Sequence, residues 1–164
     1  MAHDTLATIA ALAGARLKAG GLMLATAESC TGGWVAQALT SVSGSSDWFE
    51  RGFVTYSNEA KREMLGVRAE TLDRFGAVSE ETAREMALGA LAASRAQVAV
   101  AITGVAGPTG GTPAKPVGMV CLAWASKESG VDTVTKHFPG DREAVRRQSV
   151  VCALEGVLER TGET

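Results

Sequence analysis

A cluster of hydroxyl and thiol side chains follows a short apolar run near the start of the sequence. Ser29, Cys30 and Thr31 come soon after the apolar residues 22–25, and two glycines separate them from a segment with helical spacing. This order of residue types predicts a nucleophile placed where a strand ends and a helix begins. Backbone N–H groups at a helix start point toward developing negative charge. The cluster is therefore the first candidate for an active site.

Ser29 needs a base, because a serine hydroxyl is a weak nucleophile until its proton is removed. His3 lies in the terminal segment, and His137 lies near the end of a predicted strand with no acidic residue in a supporting position. We therefore do not expect a Ser-His-Asp triad. Two alternatives remain open here: Ser29 is the N-cap of the next helix, or Cys30 is the nucleophile, since thiol pKa values fall at helix N-termini.

A tyrosine and a lysine flank the next predicted junction of strand and helix. Tyr56 ends the strand predicted over 49–56, and Lys61 lies early in the helix predicted over 59–65. Both side chains can reach Ser29 across the edge of a sheet. A lysine acts as a base when burial lowers its pKa, and a tyrosine hydroxyl can relay the proton. The alternatives are a solvated helix lysine and a half-buried strand aromatic.

A glycine-rich segment and an arginine cluster are candidates for ligand binding. Residues 103–113 contain four glycines and two prolines, which predicts a loop whose bare backbone approaches a ligand closely. The segment lacks the lysine of a Walker loop, and a plain surface connection is the alternative. Arg142 and Arg146 share one face at the start of the last predicted helix, where free N–H groups favour phosphate. The alternative there is a solvated basic face.

Helical and extended patterns alternate along the chain and must position these groups. Asn58 and Ser79 are predicted as helix N-caps. The pattern predicts a single α/β domain with a mixed sheet over residues 1–164, because helices and strands alternate at first and a hairpin lies near the end. The predicted helices cover 4–19, 32–41, 59–65, 69–75, the segment after Ser79 and 141–160, and the predicted strands cover 22–27, 49–56, 97–102, 117–125 and 131–138.

The bulk composition argues against several classes of protein. A net charge of −2 gives no field that attracts nucleic acid, and no apolar run approaches the roughly 20 residues that span a bilayer. The N-terminus lacks the pattern of a secretory signal. Three cysteines without a CxxC pair argue against a disulfide framework or a structural zinc site and favour a reducing cytoplasm.

Five motifs resemble, in order along the chain, those of the CinA C-terminal domain family. They are residues 27–33, 52–61, 76–80, 103–108 and 140–142. The resemblance extends over nearly the whole chain, and stand-alone members of this family are nicotinamide-nucleotide amidases. It therefore implies hydrolysis of nicotinamide mononucleotide to nicotinate mononucleotide and ammonia.

The same resemblance implies roles for individual residues. Ser29 would be the nucleophile, Lys61 its base, and Tyr56 the residue that completes the proton path. The family also implies a three-layer α/β/α fold, a homo-oligomer, a small-molecule substrate, and no metal or other cofactor. The residues expected to contact the substrate are Cys30, Thr31, Gly32, Thr103, Gly104, Gly107, Arg142 and Arg146.

Two other functions remain as alternatives. Short-chain dehydrogenases also pair tyrosine with lysine, but their spacing is one residue shorter than that of Tyr56 and Lys61, which turns the lysine about 100° around a helix. A binding module of the same fold would keep the pocket and hold the nucleotide without turnover.

Overall fold

The computed structural model describes residues 5–162, which form six α-helices, five strands and one short 3₁₀ helix at Ser45–Asp47. His3 lies outside the described residues. The helices are α1 (Thr5–Ala19), α2 (Trp34–Thr40), α3 (Asn58–Leu65), α4 (Ala69–Phe75), α5 (Glu80–Ala92) and α6 (Arg142–Thr161). The strands are β1 (Leu24–Glu28), β2 (Phe49–Val54), β3 (Val98–Gly104), β4 (Met119–Ser126) and β5 (Gly130–His137).

The strands form one mixed sheet in the order β2-β1-β3-β4-β5. Strand β1 pairs in parallel with β2 and β3, so the first three strands run in the same direction. The pairs β3–β4 and β4–β5 are antiparallel, and β4 and β5 form the hairpin expected near the end of the chain. The carboxyl ends of β1, β2 and β3 therefore lie together at one edge of the sheet.

Alternate residues of each strand face different helix layers. In β3, Val100 and Ile102 pack with α1, α2 and α6, whereas Ala99 and Ala101 pack with helices on the opposite face, including α3 and α5. Strand β4 repeats this division, with branched and aromatic residues on one face and small residues on the other. The protein is thus a three-layer α/β/α structure around a mixed sheet, which confirms the expected fold class.

Three local expectations differ from the structure. The N-cap of α3 is Ser57, whose hydroxyl accepts the Ala60 N–H, and Asn58 is the first helical residue. Strand β3 continues through Gly104 because Gly104 pairs with Val120 of β4, so the glycine-rich loop begins later than expected. Strand β2 ends at Val54 rather than at residue 56.

Among residues 5–162, no helix is both long and apolar enough to cross a membrane.

Candidate active site

Ser29 and Lys61 meet at the edge where the parallel strands end. Ser29 follows β1, and its N–H donates to the Ile102 carbonyl of β3, which extends the sheet by one residue. Lys61 lies in the first turn of α3 and directs its amine back toward β1. The Lys61 Nζ and the Ser29 Oγ are 3.0 Å apart, and the two residues are 1% and 8% exposed. A nucleophile and a base can exchange a proton at this distance.

Burial determines the protonation behaviour of Lys61. Removal of the amine from water lowers the pKa of Lys61, and the neighbouring Cys30 side chain opposes this effect only in part. The amine also lies 3.2 Å from the backbone carbonyl of Tyr56, which accepts a hydrogen bond from it. Lys61 is thereby held in one orientation and biased toward the neutral form that a base requires.

The side chain of Tyr56 points away from this pair. It is 63% exposed, and its hydroxyl accepts a hydrogen bond of 3.3 Å from Arg142 Nη2. Only the Tyr56 carbonyl contacts Lys61. The tyrosine and the lysine therefore do not form the paired hydroxyl and amine that a short-chain dehydrogenase uses.

Cys30 is next to the nucleophile but has the wrong protonation state for a nucleophile. Burial raises the pKa of the Cys30 thiol to about 12, and the nearby Arg146 guanidinium offsets only part of this effect. The thiolate is the reactive form of cysteine, so a thiol with this pKa is inert near neutral pH. The geometry favours Ser29 as the nucleophile.

Glu28 is a buried carboxylate beside the nucleophile, with 1% of the residue exposed, and its role was not predicted from the sequence. Its carboxylate accepts the Thr31 hydroxyl at 2.6 Å and three backbone N–H groups, from Gly33, Val35 and Ala36, at 2.9–3.2 Å. Helix α2 begins after Gly33, which has no side chain to cap it, so Glu28 replaces the missing cap. The sequence did contain a signal for this role, because a glycine at the start of α2 leaves the helix without a capping side chain of its own.

The loop between Glu28 and α2 leaves backbone donors beside Ser29. The N–H of Gly32 donates to the Ser29 carbonyl and is occupied. In the part of the chain that the structure describes, the N–H groups of Cys30 and Thr31 make no hydrogen bond to protein. Thr31 is fully buried and lies outside the pocket lining, whereas Cys30 lines the pocket, so the Cys30 N–H is the donor that can stabilise an oxyanion.

A pocket of about 210 Å³ opens in front of Ser29 and Lys61. Thr103 lies in its wall, and the Thr103 hydroxyl donates to the Ala77 carbonyl at 2.8 Å, which joins β3 to the segment before α5. Among residues 5–162, no group of His, Cys, Asp and Glu side chains is arranged to hold a metal ion. The pocket is lined by Ser29, Cys30, Tyr56, Asn58, Lys61, Ala77, Val78, Thr103, Gly104, Ala106 and Arg142.

The glycine-rich loop adopts a left-handed turn at Gly107, where φ is +82°. A Cβ at this position would meet the Val117 side chain at 2.5 Å, so the loop folds tightly against the residues that precede β4. Gly107 is buried and does not line the pocket, whereas Gly104 does.

The two arginines of α6 have different surroundings. Arg142 is exposed, lines the pocket and donates to the Gly107 carbonyl at 2.8 Å. Arg146 is half-buried and does not line the pocket. Its Nε donates to the Cys30 carbonyl at 3.1 Å, and its Nη2 donates to the Thr31 carbonyl at 3.2 Å. Of the predicted pair, only Arg142 is placed to reach a ligand in the pocket.

The chain is similar to known proteins over nearly its whole length. The family model described as the CinA C-terminal domain matches residues 6–161. A protein of Escherichia coli K12 named nicotinamide-nucleotide amidohydrolase PncC is 55% identical over 98% of this chain and 97% of its own length. A Pseudomonas putida protein of the same name is 53% identical over 95% and 97%. The crystal structure of the competence/damage inducible protein CihA from Agrobacterium tumefaciens superposes with a TM-score of 0.93, at 47% identity and 96% coverage of both chains.

Proposed function

Because the chain belongs to the CinA C-terminal domain family, we propose that it is a nicotinamide-nucleotide amidase that converts nicotinamide mononucleotide to nicotinate mononucleotide and ammonia. The observation that carries this proposal is the 3.0 Å contact between Ser29 Oγ and Lys61 Nζ at the base of a pocket. This contact supplies the nucleophile and base that cleavage of an unactivated amide requires.

In the first half-reaction, the Ser29 Oγ attacks the carboxamide carbon of the substrate. The Ser29 proton passes to the neutral amine of Lys61, and the carbonyl oxygen becomes an oxyanion that accepts a hydrogen bond from the Cys30 N–H. One such donor contributes about 3 kcal/mol to the barrier reduction. The carbon–nitrogen bond then breaks, and the leaving nitrogen takes the proton from Lys61 and departs as ammonia.

In the second half-reaction, water attacks the resulting nicotinoyl ester. The water gives its proton to Lys61, the ester bond to Ser29 breaks, and the Ser29 oxygen recovers the proton from Lys61. Throughout the cycle the Tyr56 carbonyl keeps the amine directed at Ser29, which is the contribution that we assign to Tyr56.

The phosphate of the substrate is assigned to Arg142. This guanidinium lies at the pocket wall, is exposed and can form paired hydrogen bonds with phosphate oxygens. Thr103 and Gly104 would contact the ring and ribose, because both residues line the pocket wall. This arrangement explains a preference for the nucleotide over free nicotinamide.

Three features of the wider protein belong to the same proposal. The whole chain acts as one amidohydrolase domain, it assembles with copies of itself, and it works in the cytoplasm. Cys30, Cys121 and Cys152 are all free thiols, which is consistent with a reducing compartment.

The proposal is tested by incubating the purified protein with nicotinamide mononucleotide and measuring ammonia and nicotinate mononucleotide. We expect turnover by the wild type and a loss of at least about 1,000-fold in kcat for Ser29→Ala, since no other nucleophile is activated in the pocket. Circular dichroism and the thermal midpoint verify that the variant folds. Binding of the nucleotide without ammonia release by the wild type would identify a binding module instead.

A further inference from the structure

Arg146 lies behind the loop that carries the nucleophile. Its guanidinium donates to two consecutive carbonyls, those of Cys30 and Thr31, and its Nη2 would lie 3.6 Å from a Cβ placed on Gly32. The guanidinium carbon is also 5.5 Å from the centre of the Trp34 ring, which limits the movement of the side chain. The position of Arg146 is thus defined from two sides, and both of its carbonyl contacts are made to the loop.

These contacts determine where one N–H of the loop points. A peptide unit is planar and trans, so its N–H and C=O point in opposite directions. The Thr31 carbonyl points to Arg146, so the Gly32 N–H of the same peptide unit points away from Arg146, and it donates to the Ser29 carbonyl. The Cys30 N–H shares a peptide unit with that Ser29 carbonyl and therefore points the opposite way. It donates to no other residue within the described residues, and Cys30 lines the pocket.

The other side of the loop is held by Glu28. The Glu28 carboxylate accepts the Thr31 hydroxyl at 2.6 Å and the N–H groups at the start of α2. Arg146 therefore holds two carbonyls of the loop, while Glu28 holds the Thr31 hydroxyl and the start of α2. The two residues together restrict rotation of the peptide units between Ser29 and Gly32.

We propose that Arg146 is a positioning residue, which turns the Cys30 N–H toward the oxyanion that forms on the substrate and does not bind the substrate phosphate. This inference rests on the proposed function for the identity of the substrate. It differs from the expectation drawn from helix spacing, which places Arg142 and Arg146 together on the phosphate.

The experiment compares Arg146→Gln and Arg146→Lys with two substrates, nicotinamide mononucleotide and nicotinamide riboside, which lacks the phosphate. We expect kcat to fall about 10-fold to 100-fold for both variants, because one misaligned oxyanion donor costs up to about 1,000-fold. The factor should be the same for both substrates, and KM should change by less than about threefold. Lysine keeps the charge but not the paired donors, so it should not restore kcat.

Arg147→Gln is the matched control, because Arg147 is the next residue of α6 and has no part in the site. Its guanidinium carbon lies 6.0 Å from the centre of the Trp34 ring. It should keep the kcat of the wild type. The proposal is overturned if Arg146→Gln raises KM for the mononucleotide alone, or if Arg146→Lys retains full kcat, since either result indicates electrostatic binding of phosphate.

A second readout separates this inference from the proposed function. A fluorophosphonate probe forms a bond from Ser29 Oγ to phosphorus with loss of fluoride, and Lys61 takes the proton. The rate of labelling, followed by intact mass, needs the nucleophile and the oxyanion donor but no nicotinamide substrate. We expect slower labelling in Arg146→Gln than in Arg147→Gln even if the mononucleotide is not the substrate. Equal rates in the two variants would refute the positioning role.

Discussion

The amine of Lys61 lies out of water, with 1% of the residue exposed, and its two hydrogen bonds run to Ser29 and to the Tyr56 carbonyl. The structure provides no carboxylate within salt-bridge distance of this amine among the described residues. Burial without a compensating negative charge disfavours the ammonium form. The pKa of Lys61 is consequently lowered, and the residue can act as a base at a pH where exposed lysines are protonated.

The pH dependence of kcat/KM follows from this lowered pKa. Only neutral Lys61 accepts the Ser29 proton, so kcat/KM should rise with pH and level off once Lys61 is deprotonated. The midpoint should lie below the usual lysine pKa of about 10.4. The measurement is made above pH 7, where the substrate phosphate, with its second pKa of about 6, no longer titrates. A midpoint at the ordinary lysine value, or a profile without a rise, would contradict this role of Lys61.

Sequence reasoning predicted the partnership of Ser29 and Lys61 but not the orientation of their neighbours. Both residues follow parallel strands, and the ends of such strands meet at one edge, so their proximity could be inferred. The direction of the Tyr56 side chain could not be inferred, because β2 ends two residues earlier than expected and Tyr56 lies in the connection to α3, outside the alternation of the strand. Helix spacing placed Arg142 and Arg146 on one face, but the loop that Arg146 contacts lies 115 residues away in the chain.

At the level of elements, α2 depends on a carboxylate from the preceding strand. The first N–H groups of a helix lack partners within the helix, and Gly33 provides no side chain to accept them. Glu28 fills this position from β1, so the strand, the nucleophile loop and the helix form one connected unit. Consecutive residues of β1 point to opposite faces of the sheet. Glu28 therefore supports α2 on one face while Ser29 meets Lys61 of α3 on the other.

Substitution of Glu28 by glutamine should lower the free energy of unfolding by about 1–3 kcal/mol. The amide group of glutamine cannot accept the N–H groups that both carboxylate oxygens now accept, so one buried donor loses its partner. Urea denaturation followed by circular dichroism measures the effect. Thr31→Val serves as the control, because it removes one hydroxyl donor and leaves the carboxylate in place, and its loss should be smaller. Equal stability of Glu28→Gln and the wild type would show that α2 does not rely on this cap.

At the level of the whole molecule, a helix on each side of the sheet packs closely on its neighbour at a glycine. Gly89 of α5 lies against the C-terminal end of α3, where an added Cβ would be 1.9 Å from the Leu65 carbonyl oxygen. Gly156 of α6 lies against Trp124 on the opposite face, where an added Cβ would be 2.1 Å from the Trp124 ring. Both glycines allow a helix to approach a neighbour, but only Gly89 contacts the helix that carries Lys61.

Gly89→Ala should lower both stability and activity. The overlap with backbone atoms forces α3 and α5 apart at a cost of about 1–3 kcal/mol, which exceeds the gain of about 1 kcal/mol in helix propensity. Displacement of α3 moves Lys61 from Ser29, so kcat should fall about 10-fold or more. Thermal unfolding and steady-state kinetics measure the two effects.

The control for this change is Gly156→Ala. It overpacks the other core at a point 14 residues, or about 21 Å of helix, from Arg142. Its stability should fall by a similar amount while the folded protein keeps its kcat. If Gly89→Ala also retained full kcat, the packing of α5 on α3 would not position the base.

The layered fold was predictable because its helices and strands have distinct periodicities, and the alternation of branched residues and alanines in β3 is visible in the sequence. The distance between neighbouring helices and strands was not predictable, because it depends on which neighbour each helix glycine faces. Gly89 and Gly156 look alike in the sequence, as single glycines within helices, and only their partners distinguish them.

Tyr56 is the one tyrosine of the chain, and its ring stands at the entrance of the pocket with 63% of the residue exposed. Growth on 3-fluorotyrosine would therefore give a protein with a single ¹⁹F resonance, located where a ligand must pass. Its chemical shift would report occupancy during a titration without any mutation and without interference from other sites. The enzyme thus carries its own spectroscopic probe of ligand entry.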